Sequence, residues 1–425
     1  MSRAAAHAVR GGVPWLVVAG LLVAALSLRG PIVAPTPVMR LIEDAFGIGA
    51  GAAGLLTTAP VLMFALLTPA AALVIRRAGA ELALLISLVG VLVGTLVRAL
   101  PGFGWMLAGM LVIGASVTVG NVVIPVIIRR DVPGEHVALM TASYVATLNV
   151  GSLVTSLLTA PLAAAIGWPL ALLSWSWITV AGIVLWSVHL RRARLDGEDW
   201  GERYSGEVAQ GAAQAPDPTA TLTGPLPVVA SDRVERSLLR RPITWLLMVA
   251  FGLQCFMYYA LTTWLPTLTA DLLGLGSTAA GALASVYQGA GIAGAFVVPL
   301  LARFTPRFVP ALVICASWIV VTVGMLTAPD LIWLWLTAGA IGHAGGFVVI
   351  FTALVAATRS DGEAAGMSAL VQGGGYTIGA LGAPFMGWLH ESTGGWEIAL
   401  GVMVVLALVY TAALCAAVAR SPRGR

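Results

Sequence analysis

Long apolar runs separated by short polar punctuation dominate the chain. Residues 13–39, 50–75, 82–97, 103–128, 137–166 and 169–190 form six such runs, each bounded by Arg, Asp, Glu, Gly or Pro. After a polar interval, 243–268, 277–302, 308–327, 331–357, 364–389 and 398–419 form six more. About 20 apolar residues at ~1.5 Å per residue cross the hydrocarbon core of a bilayer. The pattern therefore predicts an all-α membrane protein of twelve transmembrane helices. The runs are continuous rather than alternating, which excludes the strands of a closed barrel.

The polar interval divides the chain into 1–190, a first six-helix bundle, 191–241, a linker, and 242–425, a second bundle. The middle of the linker, 210–227, is rich in Gly, Ala and Pro and buries too little surface to fold alone. A repeat supports the division. Trp105, Gly114, Gly134-Glu135 and Trp168 recur at constant separation as Trp333, Gly342, Gly362-Glu363 and Trp396.

Composition agrees with this reading. Of 425 residues, 59% are hydrophobic and only 10% charged, too few charges for the surface of a soluble domain. The net charge of +4 does not point to nucleic acid, because the arginines sit in short loops between apolar runs, where they set topology. Arg76, Arg77, Arg129, Arg130, Arg303, Arg307 and Arg420 fall on one side with both termini and the linker, and only Arg40 and Arg98 fall on the other. The termini and linker are expected in the cytoplasm, with the protein in a bacterial-type plasma membrane as a monomer. Cys255, Cys315 and Cys415 lie far apart within apolar runs, as small packing residues do. Paired carboxylates, a Ser-His-Asp set, a metal-ligand cluster and a phosphate-binding glycine loop are all missing, so neither an enzyme nor a cofactor is indicated.

One charge breaks the first run. Arg29, in Leu28-Arg29-Gly30-Pro31, lies well inside it. A guanidinium near mid-membrane is unfavourable by ~2.5–3.5 kcal/mol on insertion scales, which a wet cavity, a partner or an anion can offset. Snorkelling to the nearer surface is the competing reading.

Several motifs resemble the cyanate and 2-nitroimidazole transporter family of the major facilitator superfamily. They are Leu28-Arg29-Gly30-Pro31, the run from Gly54 to Pro60, Gly120-Asn121-Val122-Val123-Ile124-Pro125 with Arg129-Arg130-Asp131, Leu139-Met140-Thr141, Gln372-Gly373-Gly374-Gly375-Tyr376 and the run from Leu389 to Trp396. The resemblance covers nearly the whole chain outside the linker. Two departures stand out. Gly30 precedes Pro31 where the family often has proline directly after the arginine, and Arg76-Arg77-Ala78-Gly79 lacks the aspartate of the superfamily loop signature.

The resemblance implies two six-helix bundles related by a pseudo-two-fold axis, with the first, fourth, seventh and tenth helices lining a central cavity. Polar groups on those helices become candidates for solute binding: Arg29, Asn121, Gln254, Tyr258 and His343, joined by Gln372 and Tyr376 from the family motif on the eleventh. Each has a plainer reading. Asn121 also serves as interhelical glue, and His343 is either an anion donor or proton carrier or a buried neutral ring satisfied by a backbone carbonyl. Trp264, near the outer end of its helix, reads as an interface anchor. Asp and Glu are absent from every run, so His343 is the main candidate for any proton coupling. The expected function is transport of a small cyanate-like anion by alternating access. The alternative is export of nitroimidazole-like or other small drug compounds by the same fold.

Overall fold

The computed structural model describes residues 15–132, 134–195, 238–358 and 361–421, and the linker middle lies outside them. The first run folds as α1 (Trp15–Val33), a 3-10 turn (Thr36–Val38) and the short α2 (Met39–Phe46). Then come α3 (Ala50–Ala78), α4 (Ala80–Val97), α5 (Phe103–Asp131), α6 (Gly134–Ile166), and the sixth span, split into α7 (Trp168–Ser174) and α8 (Ser176–Leu195). The second half comprises α9 (Pro242–Leu273), α10 (Ser277–Phe304), α11 (Phe308–Thr327), α12 (Ile332–Ala356), α13 (Asp361–Ala380), α14 (Gly382–Thr393) and α15 (Glu397–Arg420).

Eleven helical stretches among the described residues are long and apolar enough to cross a membrane. The remaining expected span is α13 with α14. It is interrupted at Leu381, and its first part carries Asp361, Glu363, Ser368, Gln372 and a glycine triplet in place of apolar residues.

The packing repeats between halves. In the first, α1 lies on α6 and α8, and α5 lies on α3 and α4; in the second, α9 lies on α13 and α15, and α12 lies on α10 and α11. Corresponding helices thus make corresponding contacts. The halves meet through α6 on α10 and through α3 on α13 and α14, itself a symmetric arrangement. In a bilayer such contacts gain little from the hydrophobic effect and depend on close approach of small residues. A Cβ built on Gly54 would lie 2.8 Å from the backbone of Ala383 across the halves, and, within the second half, one on Gly382 would lie 2.4 Å from the carbonyl of Phe256.

Polar bonds between the halves lie to one side. Among the described residues they are Arg29 to Tyr258 at midspan, Thr263 Oγ1 to Thr57 Oγ1 (2.8 Å), Thr58 Oγ1 to the Ala380 carbonyl (2.6 Å), Gly51 N–H to Glu391 (3.5 Å) and an Arg40–Asp271 ion pair. From midspan they run toward the face opposite the described chain ends. That far face is closed, and Trp396 reinforces it by donating to Asp271 (2.8 Å) while stacking on His390 at 3.9 Å.

Arg98 corrects the sequence reading that places it in a surface loop. It caps α4 and is 3% exposed. Its Nη1 donates to the Pro31 carbonyl (2.6 Å) and its Nη2 to the Leu172 carbonyl (2.9 Å). Residue 35 is proline and has no N–H, so the Pro31 carbonyl lacks its ordinary helical partner. Leu172 is in the last turn of α7, where carbonyls are also left over. One guanidinium therefore satisfies two breaks in the backbone, each costing about 1–3 kcal/mol if left unpaired. Arg98→Ala is expected to lower the thermal unfolding midpoint of the purified protein by several degrees, with Arg98→Lys recovering part of the loss. A midpoint unchanged in the alanine variant would show that the two carbonyls find other partners.

Candidate functional site

Arg29 is on the last-but-one turn of α1, half-buried rather than sealed. Its Nη1 approaches the Tyr258 hydroxyl at 3.5 Å, across the boundary between the halves. The side chain points into the protein, so it does not snorkel. The phenols of Tyr258, Tyr259, Tyr376 and Tyr144 lie within electrostatic range of it. Among the described residues no carboxylate forms an ion pair with Arg29.

Tyr258 continues the site into the second half. Its ring stacks on His343 (centroids 4.7 Å apart, 28° between planes), and Tyr287 packs against the same imidazole at 5.0 Å. Both ring nitrogens of His343 and the Tyr287 hydroxyl are buried with no hydrogen-bond partner among the described residues. A backbone carbonyl therefore does not satisfy His343. Gly291 leaves the room beside it, since a Cβ there would lie 2.7 Å from Nε2. Polar atoms left unpaired in an apolar interior are unfavourable, and a bound polar solute is one thing that satisfies them.

The other expected residues divide. Tyr376 lies on the wall, half-buried, edge-on to Phe251 (5.1 Å) and to Phe64 of the first half (6.0 Å). Asn121, also half-buried, accepts a long bond from Tyr144 (3.4 Å), and its amide N–H groups have no acceptor among the described residues. Gln372 is buried and donates to Ser368 one turn back (2.6 Å). Gln254 is fully buried and its amide is spent between helices: Nε2 donates to the carbonyls of Gly342 (3.3 Å) and His343 (2.7 Å), while Oε1 accepts from Trp318 (2.8 Å). It holds α12 in register and does not face a solute. Trp264 is likewise buried, donating to the Ala383 carbonyl (2.7 Å), because Gly387 lets α14 close over the indole. The anchor reading fails for that reason.

Sequence reasoning passed over Tyr287. Its signal was the polar pair Tyr287-Gln288 inside an otherwise small and apolar helix, followed by Gly289 and Gly291. It also left a carboxylate missing from the loop before α4. Glu81, buried in the first turn of α4, ion-pairs with Arg130, which binds Asp131 through two bonds of 2.6 and 2.7 Å. An acid two residues past Gly79 thus ties α4 to the end of α5.

The family model described as Major Facilitator Superfamily matches residues 17–379. The chain belongs to the Major Facilitator Superfamily. It is a multi-pass membrane transporter, not an enzyme. Similar proteins include the 2-nitroimidazole transporter of Escherichia coli (strain K12), 29% identical over 94% of this chain and 95% of that one. The cyanate transport protein CynX of the same organism is 24% identical over 88% and 90%, and the uncharacterized transporter YycB of Bacillus subtilis (strain 168) is 26% identical over 94% and 92%. Two solved structures share the fold. A bacterial homologue of the human lysosomal transporter Spinster, inward-facing and unoccupied, superposes with a TM-score of 0.67 at 18% identity, covering 97% of this chain and 95% of that one. A D-xylose–proton symporter does so at 0.66 and 14%, covering 94% and 97%.

The far-face closure offers a direct test of the transport cycle. An exposed ion pair contributes ~0–1 kcal/mol, so Asp271→Asn, which keeps an acceptor for Trp396, is expected to enrich the far-face-open state up to about fivefold. Spin labels at Leu100 and Leu331, exposed on far-face loops of the two halves, should then show a growing long-distance population by pulsed electron resonance. An unaltered distance distribution would mean that the pair contributes nothing to closure.

Proposed function

We propose that this transporter moves a small anion by alternating access, with Arg29 as the fixed positive group that recognises it. The observation that carries the reading is a half-buried guanidinium at the junction of the two halves, unpaired with any described carboxylate and facing a phenol of the opposite half. Such a group in a low-dielectric setting attracts an anion far more strongly than it would in water. Tyr258 orients one side of the solute, His343 and Asn121 supply further hydrogen-bonding atoms, and Tyr376 shapes the wall. Gln372 and Gln254 stand behind the site and fix its helices. His343 is the residue through which any proton coupling would run. The arginine-rich face with the termini is cytoplasmic in this reading, and the membrane is the bacterial plasma membrane.

A second reading has its own support. Tyr258 stacks on His343 with Tyr287 tilted against the same imidazole, which places an aromatic surface beside the guanidinium, and one similar protein is named a 2-nitroimidazole transporter. A planar nitro compound suits that surface, with the nitro oxygens on Arg29.

A ligand panel on purified protein separates the two. A ligand that occupies a site on the folded protein raises stability by RT ln(1 + [L]/Kd), about 2.7 kcal/mol at 100 times Kd. Cyanate or nitrate is expected to raise the unfolding midpoint of wild type and to leave Arg29→Gln unmoved, while both proteins express and fold alike. Stabilisation of both by a neutral nitroaromatic, with no response to anions, would replace the anion reading by the second.

A further inference from the structure

The described surface holds a groove of about 680 Å³ between the start of α9 and the end of α15. Its floor and walls are apolar, from Leu246 and Val249 on one helix to Val409 and Ala412 on the other. Its polar groups are concentrated at the mouth, where Arg240 precedes α9 and Arg420 ends α15. Both arginines are exposed. Neither forms an ion pair with a described carboxylate, and Arg420 makes only a 3.3 Å bond to the Ala416 carbonyl of its own helix. The neighbouring Arg241, by contrast, is held by Glu363.

The level of the groove in the bilayer follows from its aromatic. Trp245 is 50% exposed and donates its indole N–H back to the Leu239 carbonyl, 2.8 Å away. An indole with an apolar body outward and its N–H toward the helix start belongs at the boundary between headgroups and acyl chains. Below it the groove offers only aliphatic surface; above it stand two cations that no described carboxylate pairs. We propose that this groove is a binding site for an anionic phospholipid of the leaflet on the side of the chain ends. The phosphate lies between Arg240 and Arg420, and one acyl chain runs along Val249 and Val409. Charge complementarity selects the headgroup, since a basic residue close to the membrane surface attracts an anionic lipid. The site is separate from Arg29 and its neighbours, so it stands or falls independently of the solute.

The test is native mass spectrometry and thermal unfolding of the full chain in neutral detergent, titrated with phosphatidylglycerol, phosphatidylcholine or glycerol phosphate. Phosphatidylglycerol is expected to remain bound and raise the midpoint, with the other two giving little shift. Arg240→Gln with Arg420→Gln should weaken phosphatidylglycerol binding about tenfold or more, while Arg191→Gln with Arg192→Gln, equal in charge removed and also exposed on the first half, should not. Ala412→Trp, which fills the groove and keeps both arginines, should weaken binding as well and covers the case in which the double variant folds poorly. Equal stabilisation by phosphatidylcholine, equal loss in the two double variants, or undiminished binding to Ala412→Trp would each overturn the proposal.

Discussion

The structure depends on a rule of the hydrocarbon phase: a backbone carbonyl deprived of its helical partner must find another inside the protein. The first helix runs through Pro31 and ends before Pro35, and the Pro31 carbonyl is left over because Pro35 has no N–H. Arg98 fills the gap from the neighbouring helix and binds the end of α7 with the same guanidinium. The end of the helix is thereby fixed in place. Arg29 is two residues before Pro31, so the stretch of helix that carries it is held by a bond made by a different arginine.

The two cations illustrate how one residue type serves opposite ends. Arg98 is sealed, and both of its terminal nitrogens are spent on backbone carbonyls. Arg29 is half-buried and has one long contact to a neutral phenol. The first holds the chain still and the second is left available. A similar contrast separates Gln254, whose amide is spent on α12 and Trp318, from His343, whose nitrogens are free although the same glutamine grips its backbone. The first half thus supplies the charge and the second supplies the rings.

Much of the architecture was legible in the sequence, because a span-length apolar run has few alternatives and because Trp105 recurs as Trp333, two side chains that the structure leaves 55% and 57% exposed. Arg29 and His343 stood out as well, as intramembrane polar groups are rare, and the structure brings both against Tyr258. What the sequence concealed were residues whose meaning is set by a distant neighbour. Arg98 at the end of a run looks like a loop charge until the proline-freed carbonyl is seen beside it. Trp264 resembles a membrane anchor until Gly387 allows α14 over it. Gln254 shares a helix with Tyr258, yet its burial is complete and its bonds run to other helices. Tyr287 is silent in one dimension because a tyrosine among small residues ordinarily means packing.

The bonds joining the halves are several and small, spaced from midspan to the far face: a phenol contact, two threonine bonds, a backbone N–H to a carboxylate, and one ion pair in partial contact with water. Such a seam behaves like a zip fastener and not like a latch. Each of its hydrogen bonds is worth only about 0.5–1.5 kcal/mol net, because water competes for the same groups once they are exposed. Opening of the far face is therefore not guarded by a single strong bond: what has to be given up there is a set of small contacts, and no one of them is large enough to lock the two halves together.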